Sequence, residues 1–276
     1  MIAHRQLESA YNPGYRRHGS LLPMEPRAAT NSLERALTLL DIVAREGGGL
    51  TNAEISRRMG MAPSSCSYIL SRLEREGYVR RDKETGRYQI GLRLVELAYG
   101  ALRTIGHRPI VEPALHRLVE KTRLTALIAV WVRGRAVVVD KVESPESIKV
   151  DVDLGYPLYA HSSALGKVLL AYRTMDEFNQ FVKEHGLPRR TARTITSKVR
   201  LLQELETVRL RGYASSNEEE FAGGRAVAAP IVDDFGKVCA AVSGAGPSVH
   251  PIWKCSEDAI RCVKAAAREI SRRWGG

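Results

Sequence analysis

The chain has 276 residues, enough for two domains, and 44% hydrophobic with 26% charged residues is an ordinary globular mix rather than a disordered or fibrous one. No apolar run approaches the roughly 18 residues of a membrane span, and the four cysteines form no CxxC pair, so a reduced, cytoplasmic setting without a membrane partner is expected. The net charge of +11 is spread as +2 over residues 1–30, +2 over 31–90 and +7 beyond, so bulk charge singles out no segment.

Residues 1–30 are polar, carry Pro13, Pro23 and Pro26, and lack the apolar core of a signal peptide; they read as a disordered tail. Asn31 then caps a helix with Glu34 at its third position. Leu33, Ala36, Leu37, Leu40 and Val43 or Ala44 share a face, and Gly47-Gly48-Gly49 ends it. Thr51 and Glu54 form a capping box, with Leu50 and Ile55 as the matching staple. The second helix lasts about two turns before Gly60, and Pro63 starts a third, running roughly to Glu76. Cys66, Ile69, Leu70 and Leu73 fall on one buried stripe of that third helix.

Its opposite face holds Ser64, Ser65, Ser67, Tyr68, Ser71, Arg72 and Arg75. Hydroxyls near the helix start contact phosphates or bases, and arginines further along can bind guanine bidentately. After Gly77, residues 78–90 read as two short strands around a turn ending in Gly86, a wing whose Arg80, Arg81, Lys83 and Arg87 could follow phosphates. A helical bundle with a solvated basic face is the plain alternative. The ordered succession of cap, turn, hydroxyl-rich helix and basic hairpin favours a winged helix-turn-helix for double-stranded operator DNA over 31–90.

Apolar residues from Leu92 to Leu102 suggest a linker helix within 91–108, ended by Gly106 and Pro109. The texture then changes over 109–276. A helix from Val111 to Lys121 precedes a hairpin, Ala126–Val132 and Ala136–Val142, turning at Arg133-Gly134-Arg135. A strand near Ile148–Val152, helices Ser163–Tyr172, Asp176–His185 and Ser197–Arg211, strands Ala226–Val232 and Val238–Ser243, and a closing helix Trp253–Trp274 are expected. The mixture indicates an α+β fold. Cys255 and Cys262, two turns apart on that last helix, are expected to pack rather than bond.

Asn31-Ser32-Leu33-Glu34-Arg35-Ala36-Leu37, Leu73-Glu74-Arg75-Glu76-Gly77-Tyr78-Val79, Thr85-Gly86-Arg87-Tyr88 and Gly91-Leu92-Arg93-Leu94 together resemble the IclR-type transcriptional regulators. The second half agrees through Ala164-Leu165-Gly166-Lys167-Val168-Leu169-Leu170-Ala171, Arg193-Thr194-Ile195-Thr196, Arg211-Gly212-Tyr213-Ala214 and Val227-Ala228-Ala229-Pro230, so the match spans about 31–272. The resemblance implies an N-terminal winged helix-turn-helix and a C-terminal GAF-like effector-binding domain. It also implies a dimer or dimer of dimers, and control of a catabolic operon by a small, often carboxylated or aromatic, metabolite.

In that domain, the Ser162-to-Lys167 turn opens a helix whose amides favour an anion, so a carboxylate on the amides of Ala164 and Leu165 is one expectation. The plainer one is that Ser163 caps the helix and Gly166 permits close packing. Lys167 reads as a surface or ion-paired lysine, and His161 as a pocket-lining or core group. By the same resemblance Ser216, Asn217, Ala226, Ser243 and Ala245 wall the pocket. Here the sequence departs from the family: Ser215-Ser216-Asn217 stands where acids are usual, Ala226 replaces a cysteine, Ala245 a serine, and Pro157 is displaced. This implies an effector larger or more apolar than a two- or three-carbon acid, such as an aromatic carboxylate. An enzyme is the rival class, with Ser163 and Lys167 as a Ser–Lys pair. Nothing in the sequence orients them, no GxSxG, HExxH, Walker or GxGxxG motif occurs, and no metal or cofactor is expected. The other rival is a ligand-binding module whose DNA-binding arm is vestigial.

Overall fold

The structure, a computed structural model, describes residues 31–105 and 108–274, so the expected tail over 1–30 lies outside the described residues. The chain divides into two compact units, one reaching Ile105 and the other beginning at Gly106.

The first unit contains α1 (Ser32–Ala44), α2 (Asn52–Met59), α3 (Pro63–Arg75), the antiparallel pair β1 (Val79–Arg81) and β2 (Tyr88–Ile90), and α4 (Arg93–Ile105). The expected caps form. Asn31 Oδ1 accepts from Glu34 N at 2.9 Å. Thr51 and Glu54 close a capping box, and Gly60 ends α2 in the left-handed region at φ 61°. Leu39, Val43, Leu50, Ile55, Cys66, Leu70, Val79 and Tyr88 make the core. α1 buries Leu39 and Val43, while Leu33 and Leu37 of the apolar face read from the spacing are 68% and 49% exposed. Apolar residues occupy most of the circumference of α1, so periodicity does not choose the buried side.

The wing is stapled at both ends. Asp82 Oδ1 accepts from the Glu84 and Thr85 amides at 3.1 and 2.8 Å, which shapes its turn. At its base, Gly91 N donates to Tyr78 O at 2.9 Å. A Cβ on Gly91 would stand 2.1 Å from the Gly77 carbonyl oxygen. Backbone on both sides cannot yield cheaply, so Gly91→Ala is expected to destabilise this unit by about 1–3 kcal/mol through overpacking. Hydrogen exchange of the β1–β2 amides checks this; unchanged protection would refute it.

The second unit is one antiparallel sheet between helices. Its elements are α5 (Arg108–Thr122), β3 (Thr125–Val132), β4 (Arg135–Val142), β5 (Pro157–Tyr159), α6 (Ala164–Ala171), α7 (Met175–His185), α8 (Lys198–Arg211), β6 (Ala214–Asn217), β7 (Gly224–Val232), β8 (Val238–Pro247) and α9 (Ser256–Trp274). The strand order is β5-β4-β3-β8-β7-β6. Leu127, Ala129, Ala228, Ala241 and Ala245 face the helices α6, α7 and α8 in one core. Gly244, alternating to the other face, lies against Val263 of α9, where its missing side chain leaves room for Leu124.

Three expectations are corrected. Residues 148–152 form no strand: Val150 and Val152 are buried, but the Val150 carbonyl accepts from Thr125 Oγ1 at 2.7 Å instead of from a ladder. Two short strands, β5 and β6, are present that were not expected. The last helix begins at Ser256, after a 3-10 turn over Pro251–Cys255 capped by His250. Cys255 and Cys262 are both free thiols.

Candidate nucleic-acid interface and effector site

On α3 the two faces separate as the spacing predicts. Cys66 and Leu70 are buried, while Ser64, Ser65, Ser67, Tyr68, Ser71, Arg72 and Arg75 are exposed. Arg72 lies along Tyr68, with Nη2 3.2 Å from the phenol oxygen and Cζ 5.3 Å from the ring. The ring holds the guanidinium above the helix surface rather than letting it collapse. Pro63 opens α3 and no side chain caps it, so first-turn amides face outward. Beside them is a groove of about 450 Å³ with Ser32 and Arg35 of α1 on one wall and Met61, Ser64, Ser65 and Tyr68 on the other. The sequence reading missed Ser32 and Arg35, since their nearness to α3 depends on how α1 crosses it. On the wing, Arg80, Arg81 and Lys83 are exposed. Arg87 Nη1 donates to Gly49 O at 2.8 Å and pairs with Glu54 at 3.2 Å. That guanidinium ties the wing to the start of α2 through Nη1 alone, with 39% of the side chain exposed.

In the second unit, Ser163 caps α6, its Oγ accepting from Gly166 N at 3.1 Å and donating to Tyr159 O at 2.6 Å. A Cβ on Gly166 would lie 2.5 Å from Ala160 Cα, so only glycine lets the turn close. The sheet register aligns Ser216, Ala226, Ala245 and Thr125 in one row, and Ala214, Ala228, Ser243 and Leu127 in the next. Both rows face α6. The expected residues Ser216, Ala226, Ser243 and Ala245 thus share a small-residue floor with Ala164 and Leu165 near it. Asn217 does not join them: alternation turns it to the other face, where it is exposed. Ser216 Oγ donates to Ser162 O at 2.7 Å, and the Ser243 hydroxyl is buried with no partner among the described residues.

His161 is fully buried. Its Nε2 is 3.0 Å from the Pro188 carbonyl, which can only accept, so Nε2 carries the proton and Nδ1 is a bare acceptor without a partner. Lys167 is no surface residue. Its side chain is 1% exposed, and Nζ meets Glu219 at 2.8 Å and Glu204 at 3.4 Å, with Arg211 on Glu204 at 2.9 Å. With the Ser163 hydroxyl engaged by backbone and the ammonium held by two carboxylates, the two residues form no nucleophile–base pair.

A model of the bacterial transcriptional regulator IclR C-terminal domain matches residues 100–272, and one of the IclR helix-turn-helix domain matches 32–83. The chain belongs to the IclR family. It is a DNA-binding transcriptional regulator and not an enzyme. The HTH-type transcriptional regulator BhcR of Paracoccus denitrificans is 32% identical over 91% of this chain and 89% of its own. The crystal structure of the Thermotoga maritima IclR, 32% identical, covers 89% of this chain and 99% of that one with a TM-score of 0.67. An IclR homologue from Microbacterium hydrocarbonoxydans, crystallised with 4-hydroxybenzoate, shares the fold at 22% identity and a TM-score of 0.74, covering 87% and 98% of the two chains.

Against that IclR background, the charged groups around Tyr159 of β5 escaped the sequence reading. Arg135 and Arg190 lie over its ring, with Cζ 4.6 and 4.8 Å from the centroid, and Glu220 accepts from Ser162 Oγ. Arg133-Gly134-Arg135 had signalled only a turn, and Glu220 carried no reading of its own. Nothing local in either says that they meet.

Burial, and the nearby Arg135 and Arg190, lower the His161 pKa below its ordinary 6.5. The folded state therefore binds fewer protons than the unfolded chain, so this contribution to stability is present above pH 6.5 and is lost as pH falls below it. The slope reaches at most about 1.4 kcal/mol per pH unit. Burial raises Glu219 and Glu220, whose contributions decline in the opposite direction, as pH rises. The difference between wild type and His161→Asn isolates the histidine: urea melts from pH 8 to 5 should show the gap between them narrowing on acidification. A constant gap would contradict a neutral buried His161.

Proposed function

We propose that the exposed face of α3 reads operator DNA and that the C-terminal unit, a GAF-like domain, binds a small carboxylated metabolite that controls a catabolic operon. The carrying observation is the full outward exposure of Ser64, Ser65, Ser67, Tyr68, Arg72 and Arg75 on a helix whose other side closes the core. Hydroxyls and uncapped amides at the helix start seat phosphates, Arg72 and Arg75 reach base edges, and Arg80 and Arg81 follow the flanking backbone. Ser32 and Arg35 extend the phosphate seat across the groove. Residues 31–90 act as the DNA-binding domain, 91–108 as the linker and 109–276 as the effector domain.

The active form is a dimer or dimer of dimers. Leu33 and Leu37 on α1, with Leu92 at 76% and Val95 at 61% exposure beside and within α4, are apolar surface suited to a second copy, which would place two α3 helices on two half-sites. The effector contacts His161, Ser163, Ala164, Leu165, Ser216, Ala226, Ser243 and Ala245, and biases the population fit to DNA. An aromatic carboxylate suits the small-residue floor, and the fold itself accommodates one in the 4-hydroxybenzoate complex. The protein works in the cytoplasm, where the DNA lies.

The test is selection of bound genomic fragments followed by titration across salt. A specific operator, with affinity shifted by carboxylates, is expected. Purely non-specific binding at all salt concentrations would overturn the reading. Arg80→Ala and Arg81→Ala should each reduce the slope of log K against log salt by about 1 and weaken all sequences alike; an unchanged slope would remove the wing from the interface.

A further inference from the structure

The cluster around Tyr159 has more cation than it can use. Arg135 begins β4 and pairs across the sheet with Tyr159. Its Nη1 is buried and has no hydrogen-bond partner among the described residues, and a dry, unpaired guanidinium nitrogen is costly unless something completes it. Arg190, on the segment after α7, faces the same ring from an exposed position, and the two like charges oppose one another. Arg190 is held there on purpose-built backbone: its own amide donates to Thr194 Oγ1 at 3.0 Å, and the Thr191 and Thr194 hydroxyls donate to the Glu218 and Glu219 carbonyls at 2.6 and 2.7 Å. That clasp also brings in Glu220. The Glu220 side chain accepts from Ser162 Oγ and feels Arg190 and Arg135 through space. Two guanidinium groups therefore stand beside one buried carboxyl group whose charged form burial disfavours, which leaves excess positive charge and one orphaned donor at a place open to solvent through Arg190.

We infer that Arg135 and Arg190 form a subsite for a single carboxylate group, laid against Tyr159, and that this holds the anionic end of the effector. The inference deepens the effector reading above and rests on it in one respect, that the C-terminal unit takes a small organic acid. It moves the anion from the start of α6 to the arginines. A guanidinium fork matches a carboxylate bidentately, and one carboxylate cancels the residual charge, whereas a phosphate dianion would overshoot it.

The experiment uses the full-length protein with labelled arginine side chains, titrated by NMR with acetate, benzoate and inorganic phosphate at constant ionic strength. Saturable shifts of the Arg135 and Arg190 signals are expected with acetate and benzoate, more weakly with phosphate. Arg190→Met, at an exposed position that tolerates substitution, should weaken benzoate at least tenfold. Arg190→Lys should recover only part of that loss, because it keeps the charge and loses the fork. Glu220→Gln, which removes the competing carboxylate, should tighten benzoate. Benzoate binding within twofold of wild type in both Arg190→Met and Arg135→Met places the anion elsewhere and overturns the inference, as does the absence of saturable binding by any probe. Operator binding measured on the same samples separates the two readings: a variant that loses benzoate but holds operator as wild type does supports this subsite, while a wild type that binds benzoate at these arginines with no change in operator affinity removes effector control and leaves the subsite standing.

Discussion

Lys167→Met is expected to cost about 3–5 kcal/mol of folding stability, the largest effect of any single change considered for this protein. Lys167 is enclosed on all sides, and its ammonium is the partner of Glu219 at 2.8 Å and Glu204 at 3.4 Å. Methionine fills nearly the same volume, so the loss is electrostatic rather than a cavity. Removing the cation strands Glu219, whose Oε2 already lacks a partner, in surroundings where burial raises its pKa. Glu204 suffers less because Arg211 remains on it at 2.9 Å. The double change Lys167→Met with Glu219→Gln should therefore recover much of the loss, since a pair removed together leaves no uncompensated charge. Urea melts of the four proteins settle this. A single variant as stable as wild type, or a double variant that loses the full sum, would show that the pair is not coupled.

Arg72→Ala is expected to weaken a specific operator by about 1–3 kcal/mol while leaving non-specific DNA little changed. The guanidinium sits on the exposed side of α3, held over Tyr68, so removing it breaks no contact of the core. Arg72→Lys should behave more like alanine than like arginine if the contact is a bidentate one to guanine. Tyr68→Phe keeps the ring and deletes the hydroxyl that meets Arg72 at 3.2 Å, and should cost less than either. Equal loss on operator and random DNA would demote Arg72 to a phosphate contact. No loss at all would take α3 out of the major groove.

The DNA-binding unit was legible because its signals are local. Asn31, Thr51 with Glu54, and Gly60 each act within four residues, and each forms as read. The effector unit was legible where elements are long, as in β3, β4 and α9, and misread where they are short. β5 has three residues and β6 four, too few to show alternation. The apolar spacing at Val150 and Val152 marks burial without pairing. Asn217 was placed in the pocket by likeness to neighbours of the motif, and strand alternation moves it out.

Which residues form helices, where those helices start and stop, the polarity of each α3 face and membership of the IclR family are all properties of the chain read linearly, since each depends on side chains within a turn or two of one another. The choice of Leu39 over Leu33 as the buried side of α1, the enclosure of Lys167 and the meeting of Arg135, Arg190 and Glu220 at Tyr159 were decided by tertiary structure alone. Each depends on which surfaces stand opposite one another after folding, and charge or hydrophobicity in a sequence carries no record of the distant partner that will neutralise or cover it.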